Sequence, residues 1–468
     1  MEHKNILRRF QRVYFIGIGG IGMSALARYF NGQGRSVAGY DRHRSELTQA
    51  LEREGVQVSY EDDAQGVPEA FRQANDETLV VYTPAMGADD PLILFFKQQG
   101  HTLHKRSEVL GWISEEYTTY AIAGTHGKTT TATMLSYVLH GAVGCSAFLG
   151  GVSRNFGTNW VSTDTDSRLL VVEADEYDRS FLTLHPELPL VTSVAPDHLD
   201  YYGTFDAVVA AFREYAQRSR SGKLVCQHGV RDRFVGLGLE LITYGIETNA
   251  SYVARNVRYE GTRSFFVVEG PGGSRQEVEL GVPGRHNVEN SLAVLAMCEH
   301  AGVSMVCAAD FLPSFLGVQR RFAVMYSSPA ITYIDDYAHH PDEIRATLRA
   351  AREMFPGKHI TVVFQPHLYS RTRDFADDFA MALSGFDSVL LLPIYPAREV
   401  PIPGVSSEML LERLRRGVVR SLATPETLMG ILHTLPTEVL MTLGAGDIGE
   451  LAPGIAAQLK AREGCDEH

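Results

Sequence analysis

Short runs of β-branched and aliphatic residues alternate along this chain with longer stretches of helical spacing. Residues 13–18 predict a first strand, a glycine turn follows, and 21–32 continues as a helix. Residues 36–40 predict a second strand and 78–82 a later one. The segment 109–120 reads as a boundary, because a second strand–glycine loop–helix unit starts directly after it, at 120–123. In the middle third, 168–173 and 190–195 predict strands, and the alternating polar stretch 251–280 predicts antiparallel hairpins around Gly261 and Pro271-Gly272-Gly273. A helix opens near Asn287, and the last third restarts near Ile331 with strands at 331–335, 359–364, 388–393 and 438–443. Strands separated by helices at this spacing predict an α/β chain built on parallel sheets.

Composition sharpens this picture in three places. At roughly 100–200 residues per domain, 468 residues predict about three domains. A net charge of −13 argues against a dedicated nucleic-acid binder, so anionic ligands must be held by backbone N–H groups and a few placed cations. The five cysteines are scattered without a C-x-x-C pair, which fits neither zinc nor a disulfide framework and points to a reducing cytoplasm. No stretch reaches the roughly 18 apolar residues of a membrane span. Lys4, Arg8, Arg9 and Arg12 precede an apolar run ending Ala25-Leu26-Ala27, which imitates a secretory leader, but Gly17, Gly19, Gly20 and Gly22 spoil its helix.

Those glycines form Gly17-Ile18-Gly19-Gly20-Ile21-Gly22, a G-x-G-x-x-G loop between strand and helix, with Asp41 at the end of the second strand. The pattern suits a dinucleotide, another diphosphate such as a nucleotide sugar, or a tight turn alone. A second loop, Gly124-Thr125-His126-Gly127-Lys128-Thr129-Thr130, carries the G-K-[ST] end of a phosphate-binding loop, with Ile122 where its first glycine would stand. There Lys128 would reach the β/γ-phosphates and Thr129 would ligate Mg²⁺. A dehydrogenase has no use for this loop, whereas an ATP-driven enzyme does.

Glu173-Ala174-Asp175-Glu176-Tyr177-Asp178 and Ala195-Pro196-Asp197-His198 each follow an apolar strand, where α/β folds place ligand and metal groups. Asn287 could cap its helix or read an adenine edge. Arg320-Arg321 is either a surface pair or a clamp on phosphate charge. His339-His340-Pro341 has no third ligand at metal spacing, so a zinc site is rejected. His367, Arg371 and Arg373 share one loop suited to a carboxylate-bearing substrate.

Taken in order, the motifs at 17–27, 124–131, 173–178, 197–198, 286–290, 320–322, 335–341, 367–373 and 444–447 resemble the Mur ligase family over nearly the whole chain. The glycine-loop first domain is similar to the L-alanine-adding branch and to its tripeptide-recycling relative. The resemblance implies a Rossmann-like UDP-sugar domain (1–112), a central P-loop ATPase domain with extra antiparallel strands (113–321) and a Rossmann-like amino-acid domain (322–468). It implies ATP-dependent joining of L-alanine to the lactyl carboxylate of UDP-N-acetylmuramate through an acyl phosphate, with no nucleic-acid or membrane partner.

By position, Gly19, Gly20, Ile21, Gly22, Met23, Asp41 and Thr83 would bind the UDP-sugar, and residues 124–130 with Asn287, Arg321 and Asp336 would bind ATP. Thr129 and Glu173 would hold one Mg²⁺, His198 a second, and His367 and Arg371 would face L-alanine. Lys128, His198, Arg321, Asp336 and His340 would be the catalytic set, with His340 or His367 as base for the amine. Two departures stand out. The stretch Phe212-Arg213-Glu214 offers no lysine for the carbamate some relatives use, and Tyr82-Thr83-Pro84-Ala85 replaces a Ser-Ser-Ala loop. A nicotinamide-dependent dehydrogenase is the reading from another class.

Overall fold

The computed structural model describes residues 6–84, 86–87, 89–397 and 399–466. The chain divides into two compact units: one holds everything up to Arg258 with Ser264–Val282 and His286–Gly317, the other Val318 onward with Tyr259–Arg263 and Pro283–Arg285.

In the first unit, the strand Arg12–Ile16 is buried on both faces and lies at the centre of a five-stranded sheet. It pairs in parallel with Ser36–Tyr40 and Thr78–Tyr82, and Gln57–Ser59 and Leu103–Lys105 form the edges, also in parallel. Parallel strands need both faces covered, and the runs Val-Tyr-Phe-Ile and Leu-Val-Val supply the apolar residues. Ile16 stands beside Tyr40 and Tyr82, so the carboxyl ends come level and the glycine loop opens where they meet. The helix Ile21–Gly32 follows, burying Met23, Leu26 and Phe30.

The same unit carries a ten-stranded sheet. Thr118–Ala123 is flanked in parallel by Leu188–Val191 and Leu169–Glu173. Ser146–Phe148 pairs with Leu169–Glu173 in parallel and with Trp160–Val161 in antiparallel. On the other side, Arg263–Glu269 and Arg275–Leu280 make an antiparallel hairpin turning through Pro271–Gly273. The helix Arg106–Glu115 occupies much of the stretch 109–120 and buries Val109, Leu110 and Ile113. One expectation changes. The strand expected at 190–195 ends at Val191, because the next residues turn their hydrogen bonds onto the phosphate loop: Thr125 N–H donates to the Ser193 carbonyl (3.1 Å) and His126 N–H to Ser193 Oγ (2.8 Å).

The second unit is built on six strands in the order Ala323–Ser327, Thr332–Asp336, Val439–Leu443, Ile360–Phe364, Ser388–Leu391, Val419–Leu422, parallel except for the first pair. Neither edge strand is among those expected: Val419–Leu422 is largely exposed and carries no apolar run, whereas Ala323–Ser327 carries the short apolar run Ala-Val-Met-Tyr and goes unpredicted all the same. Among the described residues, no helix is long and apolar enough to cross a membrane.

Candidate active site

The strand Thr118–Ala123 ends in Gly124-Thr125-His126-Gly127, and the helix Lys128–Val143 starts directly after it. The first-turn N–H groups of Lys128, Thr129 and Thr130 have no acceptor within the helix, which makes this end an anion cradle. Lys128 Nζ donates to the Gly124 carbonyl (2.6 Å) and pairs with the buried Glu176 carboxylate (2.8 Å). Burial opposes the lysine's charge, but Glu176, Glu173 and Asp175 outweigh it and hold the ammonium above its ordinary pKa. Thr129 Oγ1 donates to Glu173 Oε1 (3.0 Å), and Gly150 N–H donates to Glu173 Oε2 (3.0 Å). Gly150 leaves room for that carboxylate: a Cβ there would run into Glu173 Oε2 and displace it. Asn287 sits buried in the first turn of Arg285–His300, but Asn290 is the residue against the loop, where a Cβ on Gly127 would lie 2.9 Å from its Oδ1.

The first glycine loop and Glu173 share one cavity. It measures about 260 Å³ and is lined by Gly20, Ile21, Gly22, Met23 and Thr83 on one side and by Gly150, Glu173 and Asp175 on the other. Arg106 reaches into it, 3.7 Å from Asp175, and Gly22 makes the room: a Cβ there would lie 2.8 Å from Arg106 Nη1. Gly19 and Asp41 do not line this cavity. Asp41 instead accepts from Gly19 N–H (2.8 Å) and His43 N–H (3.1 Å), so its carboxylate braces the loop. Ala85, the last residue of the divergent loop, lies outside the described residues.

Sequence reasoning missed Arg106 and the partnership of Glu176 with Lys128. The strand-end acidic run was visible, but not which of its acids faces the lysine; the segment kinks at Asp178 and Arg179, with left-handed φ of 47° and 60°. Beside it, Lys105 pairs with Asp178 at 3.4 Å.

His198 precedes the short helix Leu199–Tyr202 with φ 51°. It groups with Glu176 and Asp197, ligand atoms within 4.8 Å of one another. The hydroxyl and carboxylate of the Thr129–Glu173 pair are hard oxygen donors of the kind Mg²⁺ takes. Where a carbamate lysine would stand, Phe212 is core and Glu214 pairs with Arg179 and Arg218.

In the second unit both adjacent arginines lie over the Tyr337 ring, Arg320 at 5.1 Å from its centre. Arg320 donates to the Gly444 (2.5 Å) and Gly446 (3.3 Å) carbonyls and faces Asp335 (3.6 Å), so it braces the loop 444–447. Arg321 lies 5.3 Å from the Tyr337 ring centre. The helix Pro341–Met354 begins after His340, whose ring packs on Phe375 (4.8 Å). It is His339, not His340, that lies beside His367, with ring centres 6.0 Å apart. His367 stacks on Tyr395 (5.6 Å), and burial, then His339 and Arg371, push its pKa down to about 4. His367 Nδ1 and Arg371 Nη1 are buried without a hydrogen-bond partner among the described residues.

Asp336 accepts from Thr347 Oγ1 (2.7 Å), and burial pushes its pKa up to about 6 against the pull of Thr347 and Arg321. A raised folded pKa means stability that is complete below the unfolded value and lost as pH rises through about 6. Asp336→Asn keeps the Thr347 contact without the charge. It should melt several degrees above wild type at pH 8, on the order of 2–3 kcal/mol, with the advantage shrinking toward pH 5. Thermal melts across that range check this, and an advantage independent of pH contradicts it.

Residues 12–118 match the Mur ligase family catalytic domain, 122–298 the Mur ligase middle domain and 320–446 the Mur ligase glutamate ligase domain. The chain belongs to the Mur ligase family. It is 44% identical over 453 residues to the UDP-N-acetylmuramate–L-alanine ligase of Phocaeicola vulgatus, covering 96% of this chain and 98% of that one. It is 43% identical over 456 residues to the protein of the same name in Flavobacterium johnsoniae, covering 97% and 99%. The crystal structure of the UDP-N-acetylmuramate–alanine ligase of Thermotoga maritima superposes with TM-score 0.81 at 28% identity, covering 96% of this chain and 99% of that one. The dehydrogenase reading is not favoured by this membership.

Proposed function

We propose that this chain joins L-alanine to the lactyl carboxylate of UDP-N-acetylmuramate at the expense of ATP, a step of peptidoglycan precursor synthesis. The observation that carries the reading is the single cavity with the diphosphate-type glycine loop at one end and Glu173, bonded to the phosphate-loop Thr129, at the other. A nucleotide sugar held at Gly20–Met23 by loop N–H groups and Arg106 would extend its acid toward the γ-phosphate held above Lys128.

The carboxylate oxygen attacks the γ-phosphorus, ADP leaves, and an acyl phosphate forms. The ammonium of L-alanine gives one proton to solvent, the amine then attacks the acyl carbon, phosphate leaves with the bonding pair, and the nitrogen's second proton passes to the departing phosphate. Two anions meet in the first step, so Lys128 acts by offsetting charge that develops between them. Mg²⁺ would supply further charge neutralisation, with Thr129 and Glu173 as ligands for one ion and His198 for a second. Arg321, Asp336 and Asn287 take the nucleotide roles the family implies for them.

His367 and Arg371 divide the zwitterion between them. Arg371 pairs with the α-carboxylate, and His367, neutral at physiological pH, accepts a hydrogen bond from the ammonium. Its low basicity makes it an orienting group rather than the base. We assign 1–112 to the UDP-sugar, 113–321 to ATP and 322–468 to the amino acid, and place the enzyme in the cytoplasm, where its four described cysteines stay unpaired.

The test is phosphate release from ATP with UDP-N-acetylmuramate and either L-alanine or a ready-made tripeptide. Release is expected with L-alanine, and silence with L-alanine refutes the reading. Saturable NADH binding without ATP turnover refutes the class.

A further inference from the structure

We infer that Asn159 is a positioning residue for the UDP-sugar site, an inference that rests on the ligase reading for the ligand it concerns. Asn159 is fully buried and touches no cavity surface itself. It stands just before the strand Trp160–Val161, yet its side chain reaches into the opening turn of the helix that follows the first glycine loop. Its Nδ2 donates to the Ile21 carbonyl (2.5 Å) and to Ser24 Oγ (2.9 Å), and its Oδ1 accepts from the Arg28 guanidinium. The orientation of the amide is forced from both ends, because a guanidinium can only donate and a carbonyl can only accept. Arg28 continues to Glu54 (2.9 Å), so the buried charge is paired as well.

The backbone of the same residue serves the opposite wall. The Asn159 carbonyl accepts from Leu149 N–H (3.0 Å), and Leu149 lines the cavity across from Ile21. Trp160 extends this tie, packing on Phe148, another lining residue (4.4 Å), and edge-on against Tyr29 (5.3 Å). One residue therefore sets the spacing of the two walls between which a diphosphate must fit. The helix Ile21–Gly32 has Gly20 at its N-cap and no side-chain capping bond, so its first turn keeps its N–H groups for a ligand. Asn159 fixes where they point by holding that turn through its carbonyl.

Two variants separate the arms of the amide. Asn159→Ala removes all three side-chain bonds, whereas Asn159→Asp still accepts from Arg28 but has nothing to donate to Ile21. Each should weaken UDP-N-acetylmuramate binding about tenfold by titration calorimetry and raise its KM by the same factor, with ATP affinity within about twofold of wild type. Ser24→Ala removes one of the two acceptors of the amide together with the Ser24 hydroxyl's own bond to the Ile21 carbonyl (3.1 Å), but leaves Asn159 bonded to Ile21 and Arg28. It should weaken UDP-N-acetylmuramate binding about two- to threefold and keeps the test open if the larger changes prevent folding. Unchanged UDP-sugar affinity in these variants overturns the inference, as does an equal loss for ATP, which would mean general damage. A wild-type protein that binds no UDP-N-acetylmuramate overturns the ligase reading itself.

Discussion

Lys128→Ala should abolish phosphate release, on the order of 10³-fold or more, while UDP-N-acetylmuramate still binds. The lysine is the cation placed by the second glycine loop, and in the proposed mechanism it serves a step that brings a carboxylate against a polyphosphate. Its contact with Glu176 complicates a simple reading. Removing the ammonium leaves a carboxylate that is 2% exposed without its partner, which should cost stability of about 3–5 kcal/mol unless the acid takes up a proton. The double variant Lys128→Ala/Glu176→Gln separates the two effects. It should regain much of the lost melting temperature and none of the activity. UDP-sugar affinity that collapses along with ATP turnover would contradict the assignment of the two ligands to different loops.

Glu173→Gln should be nearly as severe. The carboxylate is held by Thr129 Oγ1 and Gly150 N–H and faces the same cavity as the first glycine loop. Glutamine keeps the shape and one acceptor but loses the charge, and its amide would turn a donor toward one of two groups that already donate. Loss in kcat of about 10²–10³-fold is expected, with the KM for L-alanine little changed. Restoring the reaction with higher Mg²⁺ in the variant would locate the defect in cation binding. A variant with normal kcat would remove Glu173 from the mechanism.

What the sequence made legible follows the reach of each signal. The two glycine loops were readable because their requirement is local: a sharp turn between strand and helix, with N–H groups at the helix start. The parallel sheets were readable because buried strands carry continuous apolar runs. Asn159, Arg106 and Glu176 were not readable, because each is defined by a partner 48 to 138 residues away in the chain, and nothing at their own positions marks it. The histidine pair shows the limit at its finest. Both residues are equally visible, and which one faces His367 is decided by the helix starting at Pro341, which leaves His340 against Phe375. The edge strand Val419–Leu422 was hidden for the opposite reason, since exposure removes the pattern that prediction needs.

The bent acidic segment has a consequence for turnover. Lys105, Arg106 and Lys128, cations from two glycine-loop neighbourhoods, are paired with Asp178, Asp175 and Glu176 respectively, all within six residues of one another. Under the proposed reading, a phosphate or carboxylate arriving at Arg106 or Lys128 meets a cation already engaged, so it would exchange places with a side chain rather than fill a bare field. Affinity for substrate is then the difference between two sets of ion pairs, smaller than the count of cations suggests and less sensitive to salt. The same exchange runs backwards after the reaction. Under the proposed mechanism, departure of ADP, phosphate and product would let these carboxylates pair with the cations again, so that release strands no positive charge.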